Sequence, residues 1–250
     1  KALAVLGVAA GLGIGGSLLL AACAGAPYVF LVFSGLNLAP AGPGAIAQVG
    51  TVVLVTMLAS RFVLGEDLPR QRVAGVVLAL GGLGLIAGRS VADGIAGETT
   101  GLLLLACGAI LWSAFTILTR RWAVPALDGT AILAILSAAV TVPVYFLFFE
   151  PRVLEVDPAS VFVHGVYQGI LVGLVALYCF GRVVALAGAG RAGLIAPLVP
   201  VVTVLLAIPV LGEVPGWPEI VGSVVVTLGA AMAAGALHWP GGAGRAKLSA

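Results

Sequence analysis

Few side chains in this sequence are able to do chemistry, and where they sit says more than what they are. Its 250 residues include ten carboxylates, twelve Lys or Arg, two histidines and three cysteines. It has no Gly-x-Ser-Gly segment, no His-Glu-x-x-His, no cluster of aspartates and no Gly-Lys-Ser/Thr loop. Serine and zinc intramembrane proteolysis, prenyl-diphosphate chemistry and ATP-driven work by this chain are therefore not expected. What remains are polar or aromatic side chains set inside apolar runs: Tyr28, Gln48, Trp112, Tyr167, Gln168 and Tyr178. Such groups cost free energy in hydrocarbon unless they meet a partner or a cavity, which makes them candidates to line a solute pathway. His164 lies four residues before Gln168, on the same helical face, and an imidazole is the side chain best suited to pass a proton near neutral pH, so it is the candidate proton carrier. Helix–helix hydrogen bonds explain an isolated Gln equally well, and interfacial belts explain an isolated Trp or Tyr. Cys23, Cys107 and Cys179 share no ligand spacing and read as small buried hydrophobes, so neither a metal nor a cofactor is expected.

The elements that position these residues follow from composition. Hydrophobic residues make up 61% of the chain and charged residues only 9%, with a mean hydropathy of +1.21. A soluble domain carries about a quarter charged residues, so a water-facing surface cannot be built from this sequence. A net charge of +2 offers no basis for nucleic-acid binding. Charged or Pro/Gly clusters divide the chain into apolar runs near 13–38, 44–63, 73–90, 101–119, 130–149, 160–186, 192–211 and 219–237. Each is long enough to cross a bilayer as a helix. The reading is an all-α polytopic membrane protein with eight transmembrane helices here. Residues 2–12 leave room for a ninth. A single helix over 2–38 would be about 55 Å long, so a break is expected at Gly25 and Pro27. Four-residue glycine stripes, Gly7-Gly11-Gly15 and Gly84-Gly88, are expected where helices approach closely. Pro200 and Pro209 are expected to kink or open the seventh span.

Orientation comes from the basic residues between spans. Lys1, Arg61, Arg70, Arg72, Arg120, Arg121, Arg182, Arg191, Arg245 and Lys247 fall on one side, and Arg89 and Arg152 on the other. The first side is therefore cytoplasmic, the carboxyl end included. The chain also repeats itself. Val63-Leu64-Gly65-Glu66 recurs 147 residues later as Val210-Leu211-Gly212-Glu213. At the same offset Gly75 matches Gly222, Gly82 matches Gly229, Gly88 matches Gly235 and Ala45 matches Ala192. One Leu-Gly-Glu corner falls on the cytoplasmic side and the other outside, so the two repeats are expected to have inverted topology. That architecture is common among secondary transporters. Glu66 and Glu213 mark the repeat boundaries. The first repeat is assigned to 1–90, an external linker to 91–99, the second repeat to 100–237 and a cytoplasmic tail to 238–250. The offset places the first repeat's start about 47 residues before Lys1, room for two spans of ~20 residues each.

These residues resemble the EamA family of the drug/metabolite transporter superfamily. In the first half the resemblance is carried by Pro27-Tyr28, Gly35-Leu36, Ala39-Pro40-Ala41, Leu64-Gly65-Glu66 and Gly75. In the second half it is carried by Tyr178, Gly188, Arg191-Ala192, Leu198-Val199-Pro200-Val201, Leu211-Gly212-Glu213 and Gly222. The resemblance implies ten helices in two inverted repeats, cytoplasmic termini, and export or exchange of small metabolites. The chain departs from that pattern in lacking the first two helices and in having Val53 where the second repeat has Pro200. Without those helices it is not expected to transport by itself. The expected partners are a small-molecule solute and the lipid bilayer of the cytoplasmic membrane, with a homodimer left open and neither nucleic acid nor ATP. A channel-like or structural membrane protein is the alternative.

Overall fold

The computed structural model describes residues 12–92, 96–124, 126–148, 155–176, 179 and 195–235. Among these every regular element is helical, as hydrocarbon requires of backbone groups that must be satisfied within their own segment. The elements are α1 (Gly13–Ala24), α2 (Ala26–Leu36), α3 (Ala41–Leu64), α4 (Arg70–Ala92) and α5 (Ala96–Arg121). They continue as α6 (Ala126–Phe148), α7 (Pro158–Gly165), α8 (Ile195–Leu211) and α9 (Trp217–Ala233). The spans Gly13–Leu36, Ala41–Leu64 and Gly97–Arg121 are long and apolar enough to cross a membrane, and shorter apolar helices run over Ile132–Leu147, Pro158–Val172, Leu198–Leu211 and Trp217–Ala233.

Helix ends follow local chemistry. The first span breaks at Gly25, as expected, with α2 starting one residue before Pro27. A Cβ on Gly25 would collide with the Ser137 hydroxyl and the Ala21 carbonyl, so only glycine fits this junction. In α7 the Asp157 carboxylate accepts from the Ser160 N–H at 3.1 Å with Pro158 at the first turn. From Val166 to Ala176 the helix winds wider, with i→i+5 geometry. In α9 the Glu219 carboxylate accepts from the Gly216 N–H. Both α4 and α5 reach into the stretch assigned to a linker, ending at Ala92 and starting at Ala96, where Glu98 complements the first turn of α5. α8 runs on through Pro200 and Pro209 without interruption.

The two Leu-Gly-Glu corners have one geometry. After α3, Gly65 adopts φ +68° and the Glu66 N–H donates to the Ser60 carbonyl at 3.2 Å; after α8, Gly212 adopts φ +70° and the Glu213 N–H donates to the Ala207 carbonyl at 3.2 Å. Each bond reaches back six residues across a left-handed glycine and closes the last helical turn, a stop that glycine enters without the Cβ penalty.

The described residues fall into two compact units, one within Lys1–Val29 and Leu118–Ala192, the other within Phe30–Ile117 and Gly193–Ala250. In the first, α1 packs on α6, and Leu20 and Ile132 are fully buried. The second is centred on α3, α4, α8 and α9, each giving one residue to the core of Ile46, Ile86, Val204 and Val226. Its most extensive contact is α4 on α9. A Cβ on Gly75 would lie 2.6 Å from the Gly229 carbonyl oxygen, and one on Gly82 would lie 2.9 Å from the Gly222 carbonyl oxygen. The reverse approaches are as tight, Gly229 to Gly75 at 2.5 Å and Gly222 to Gly82 at 3.1 Å. As the number rises along α4 it falls along α9, so the pair is antiparallel. The corner before α4 and the corner before α9 therefore lie at opposite ends of it.

Several expectations need correcting here. Among the described residues Gly15, Gly84 and Gly88 are not approach points, because a Cβ on any of them meets nothing within 4 Å there. Close approach falls instead to the offset-matched glycines Gly75, Gly82, Gly222 and Gly229, and to Gly35 and Gly101, which abut where α2 meets α5. Gly88 and Gly235 are not equivalent: α4 continues past Gly88, whereas Gly235 follows the end of α9 with φ +73°. Cys23 is buried, but Cys107 and Cys179 are exposed, since an apolar run does not say which face of its helix is covered. Residues 2–11, Gly7 and Gly11 among them, together with Arg182, Ala192 and the 238–250 tail, lie outside the described residues.

Candidate functional site

In the second unit, α3 carries Gln48 on its half-buried surface, two turns in from Ala41. The Ser113 hydroxyl of α5 donates to the Ala109 carbonyl at 2.8 Å and stands 3.4 Å from the Val52 carbonyl, one turn beyond Gln48. Trp112 precedes Ser113, is 37% exposed, and has its ring centroid 5.6 Å from that of Phe115. The stretches holding Gln48 and Trp112 thus meet at one helix–helix contact, made by the buried Ser113 hydroxyl against the Val52 carbonyl. Amide and aromatic side chains are of the types that hydrogen-bond and stack with small solutes.

Glu213 is placed more sharply than its boundary role foretold. Its two carboxylate oxygens accept from the Ala41 N–H at 3.2 and 3.1 Å, across 172 residues. Pro40 offers no side-chain cap, so the first turn of α3 takes its acceptor from the α8–α9 corner. Glu66 is half-buried at the matching corner after α3.

In the first unit Tyr28 is half-buried on α2. His164, on α7, is exposed, as are Tyr167 and Gln168 in the wide-wound stretch that follows, Tyr167 by 53%. Widening begins between His164 and Gln168, so their shared face is set by two helix types. Tyr178 lies outside the described residues. Three hydroxyls escaped the sequence reading. Thr56, Ser137 and Thr227 are buried oxygens with no hydrogen-bond partner among the described residues. Their signal in the sequence was only a hydroxyl in an apolar run, which leaves both burial and partner open. No group of three His, Cys, Asp or Glu side chains gathers among the described residues.

Long apolar helices, glycine-mediated packing and polar groups turned toward neighbouring helices define an integral membrane protein. A model of the EamA-like transporter family matches residues 99–235, and the chain belongs to that family. It is 35% identical over 132 residues to the aromatic amino acid exporter YddG of Ancylobacter novellus, a match covering 52% of this chain and 45% of the exporter. The chain thus spans under half the length of that relative. It is 24% identical over 218 residues to the uncharacterized transporter YyaM of Bacillus subtilis, covering 84% of this chain and 70% of that one. A solved crystal structure with 29% identity matches at a TM-score of 0.56 over 91% of this chain and 82% of the other. These likenesses point to a transporter rather than an enzyme.

Proposed function

We propose that the chain belongs to a secondary transporter that moves a small metabolite or drug-like solute, as an exporter or exchanger, by alternating access. The observation that carries this reading is the reciprocity of the α4–α9 contact. At an offset of 147 residues Gly75 corresponds to Gly222 and Gly82 to Gly229, and the contacts are Gly75 with Gly229 and Gly82 with Gly222. Exchanging the two repeats turns each contact into the other. A twofold axis across an antiparallel pair has this signature, and for helices that cross a bilayer the axis lies in the membrane plane. Two halves so related can trade conformations and expose one solute site to either face.

Eight spans here, ten in the complete protein and a cytoplasmic carboxyl end belong to the same reading. Gln48, Trp112, Tyr28, Tyr167, Gln168 and Tyr178 are its pathway residues and His164 its proton carrier. The YddG relative makes aromatic amino acids the first solutes to try. Full-length protein in proteoliposomes should show saturable uptake and counterflow, and Gln48→Ala and Gln168→Ala should each impair it with membrane insertion intact. Flux that does not saturate would favour a channel. Normal uptake by both variants would remove the pathway assignment.

A further inference from the structure

The face of α4 turned away from α9 bears side chains that neither the fold nor the transport reading uses. At 3.6 residues per turn, Arg70, Val73, Val77, Gly81, Gly84 and Gly88 share one side of the helix, opposite Gly75 and Gly82. Val77 is 63% exposed, and a Cβ at any of these three glycines meets nothing within 4 Å among the described residues. The result is a shallow apolar channel along the helix, open where three side chains are missing. Its head is basic. Arg70 is exposed at the first residue of α4, and Arg61, in the last turn of α3, reaches into the same corner, 3.6 Å from Asp67. That pair is open to solvent and weak enough to yield to a better anion. Phe62, beside Arg61, is 83% exposed. Arg72 points elsewhere, its Nη2 4.0 Å from where a Gly235 Cβ would stand beyond α9.

We propose that this face binds an anionic phospholipid, its headgroup phosphate on Arg70 and Arg61 and one acyl chain lying over Gly81, Gly84 and Gly88. Charge complementarity selects this occupant over a second copy of the chain. Two copies inserted the same way and paired through this face would run parallel, setting Arg70 against Arg70 at the head of the contact. An anionic headgroup supplies the missing charge, and an acyl chain fills the channel that no side chain fills.

Native mass spectrometry of the purified protein, released from micelles containing equal phosphatidylglycerol and phosphatidylcholine of one chain length, tests this. Wild type should retain phosphatidylglycerol preferentially. Arg70→Gln and Arg61→Gln should each weaken retention about fivefold, the effect of one basic residue at an anionic surface. Gly84→Leu should weaken it at unchanged charge and unchanged helix content, because its added side chain enters open space. Equal retention of the two lipids would overturn the proposal, as would Arg variants indistinguishable from wild type. So would displacement by excess inorganic phosphate, which would mark a bare anion site. A Gly84→Leu variant that splits a dimer while keeping its lipid would give the face to a second copy instead.

Discussion

Glu213 shows how much one side chain contributes when the backbone around it is forced. The left-handed Gly212 turns the chain back at the end of α8, the Glu213 N–H bond to the Ala207 carbonyl fixes the next peptide, and the carboxylate then reaches the Ala41 N–H. Glu213→Ala should destabilise the protein by about 1 kcal/mol, the usual cost of losing a helix cap, and Glu213→Gln by less because an acceptor oxygen stays. Thermal unfolding in detergent, followed by circular dichroism, measures both. Ala at Gly65 or Gly212 should cost about 1–2 kcal/mol each by forcing a Cβ into the left-handed region. Near-equal losses at the two positions are expected from their near-equal φ angles. A carboxylate one glycine after a helix end was readable as a boundary signal. Its partner was not, because nothing local connects residue 213 to residue 41.

At the scale of helices, glycine decides which surfaces meet. Gly75→Ala, Gly82→Ala, Gly222→Ala and Gly229→Ala each place a methyl within about 3 Å of opposing backbone, and each should cost about 1–3 kcal/mol as overpacking. Gly84→Ala and Gly88→Ala should be neutral or stabilising by up to about 1 kcal/mol, since alanine is the better helix former and meets no neighbour. Chemical denaturation of the six variants separates the groups, and similar losses in both would refute the packing described. In the sequence all six glycines look alike. The repeat offset marks out four of them correctly and also offers Gly88, which the structure leaves open. A four-residue stripe is blind to what stands opposite. The same blindness affects α5, where Leu102 and Leu105 are buried while Leu103 is 63% exposed.

Across the whole molecule the decisive relation is between the two corners. Asp67 and Val214 each follow a Leu-Gly-Glu corner and are among the most exposed side chains described. With Cys23, Cys107 and Cys179 replaced by serine, single cysteines at Asp67 and Val214 should react with an impermeant maleimide from opposite sides of sealed vesicles. The orientation proposed from the arginine bias predicts labelling at Asp67 from the cytoplasmic side. Labelling of both from one side would remove the inverted arrangement and, with it, the alternating-access reading.

What the amino-acid order alone determined was whatever hydrocarbon settles one segment at a time. Where water is absent, each backbone stretch must satisfy its own hydrogen bonds, so helices, their approximate ends, the break at Gly25 and the left-handed stops at Gly65 and Gly212 are local matters. Partnership is not local. In helices apolar around their whole circumference, only the assembled neighbours decide which face is covered. Tertiary structure therefore told the four glycines that lock α4 to α9 apart from Gly88, brought the Glu213 carboxylate to α3, and left Cys107, Cys179 and one side of α4 uncovered among the described residues.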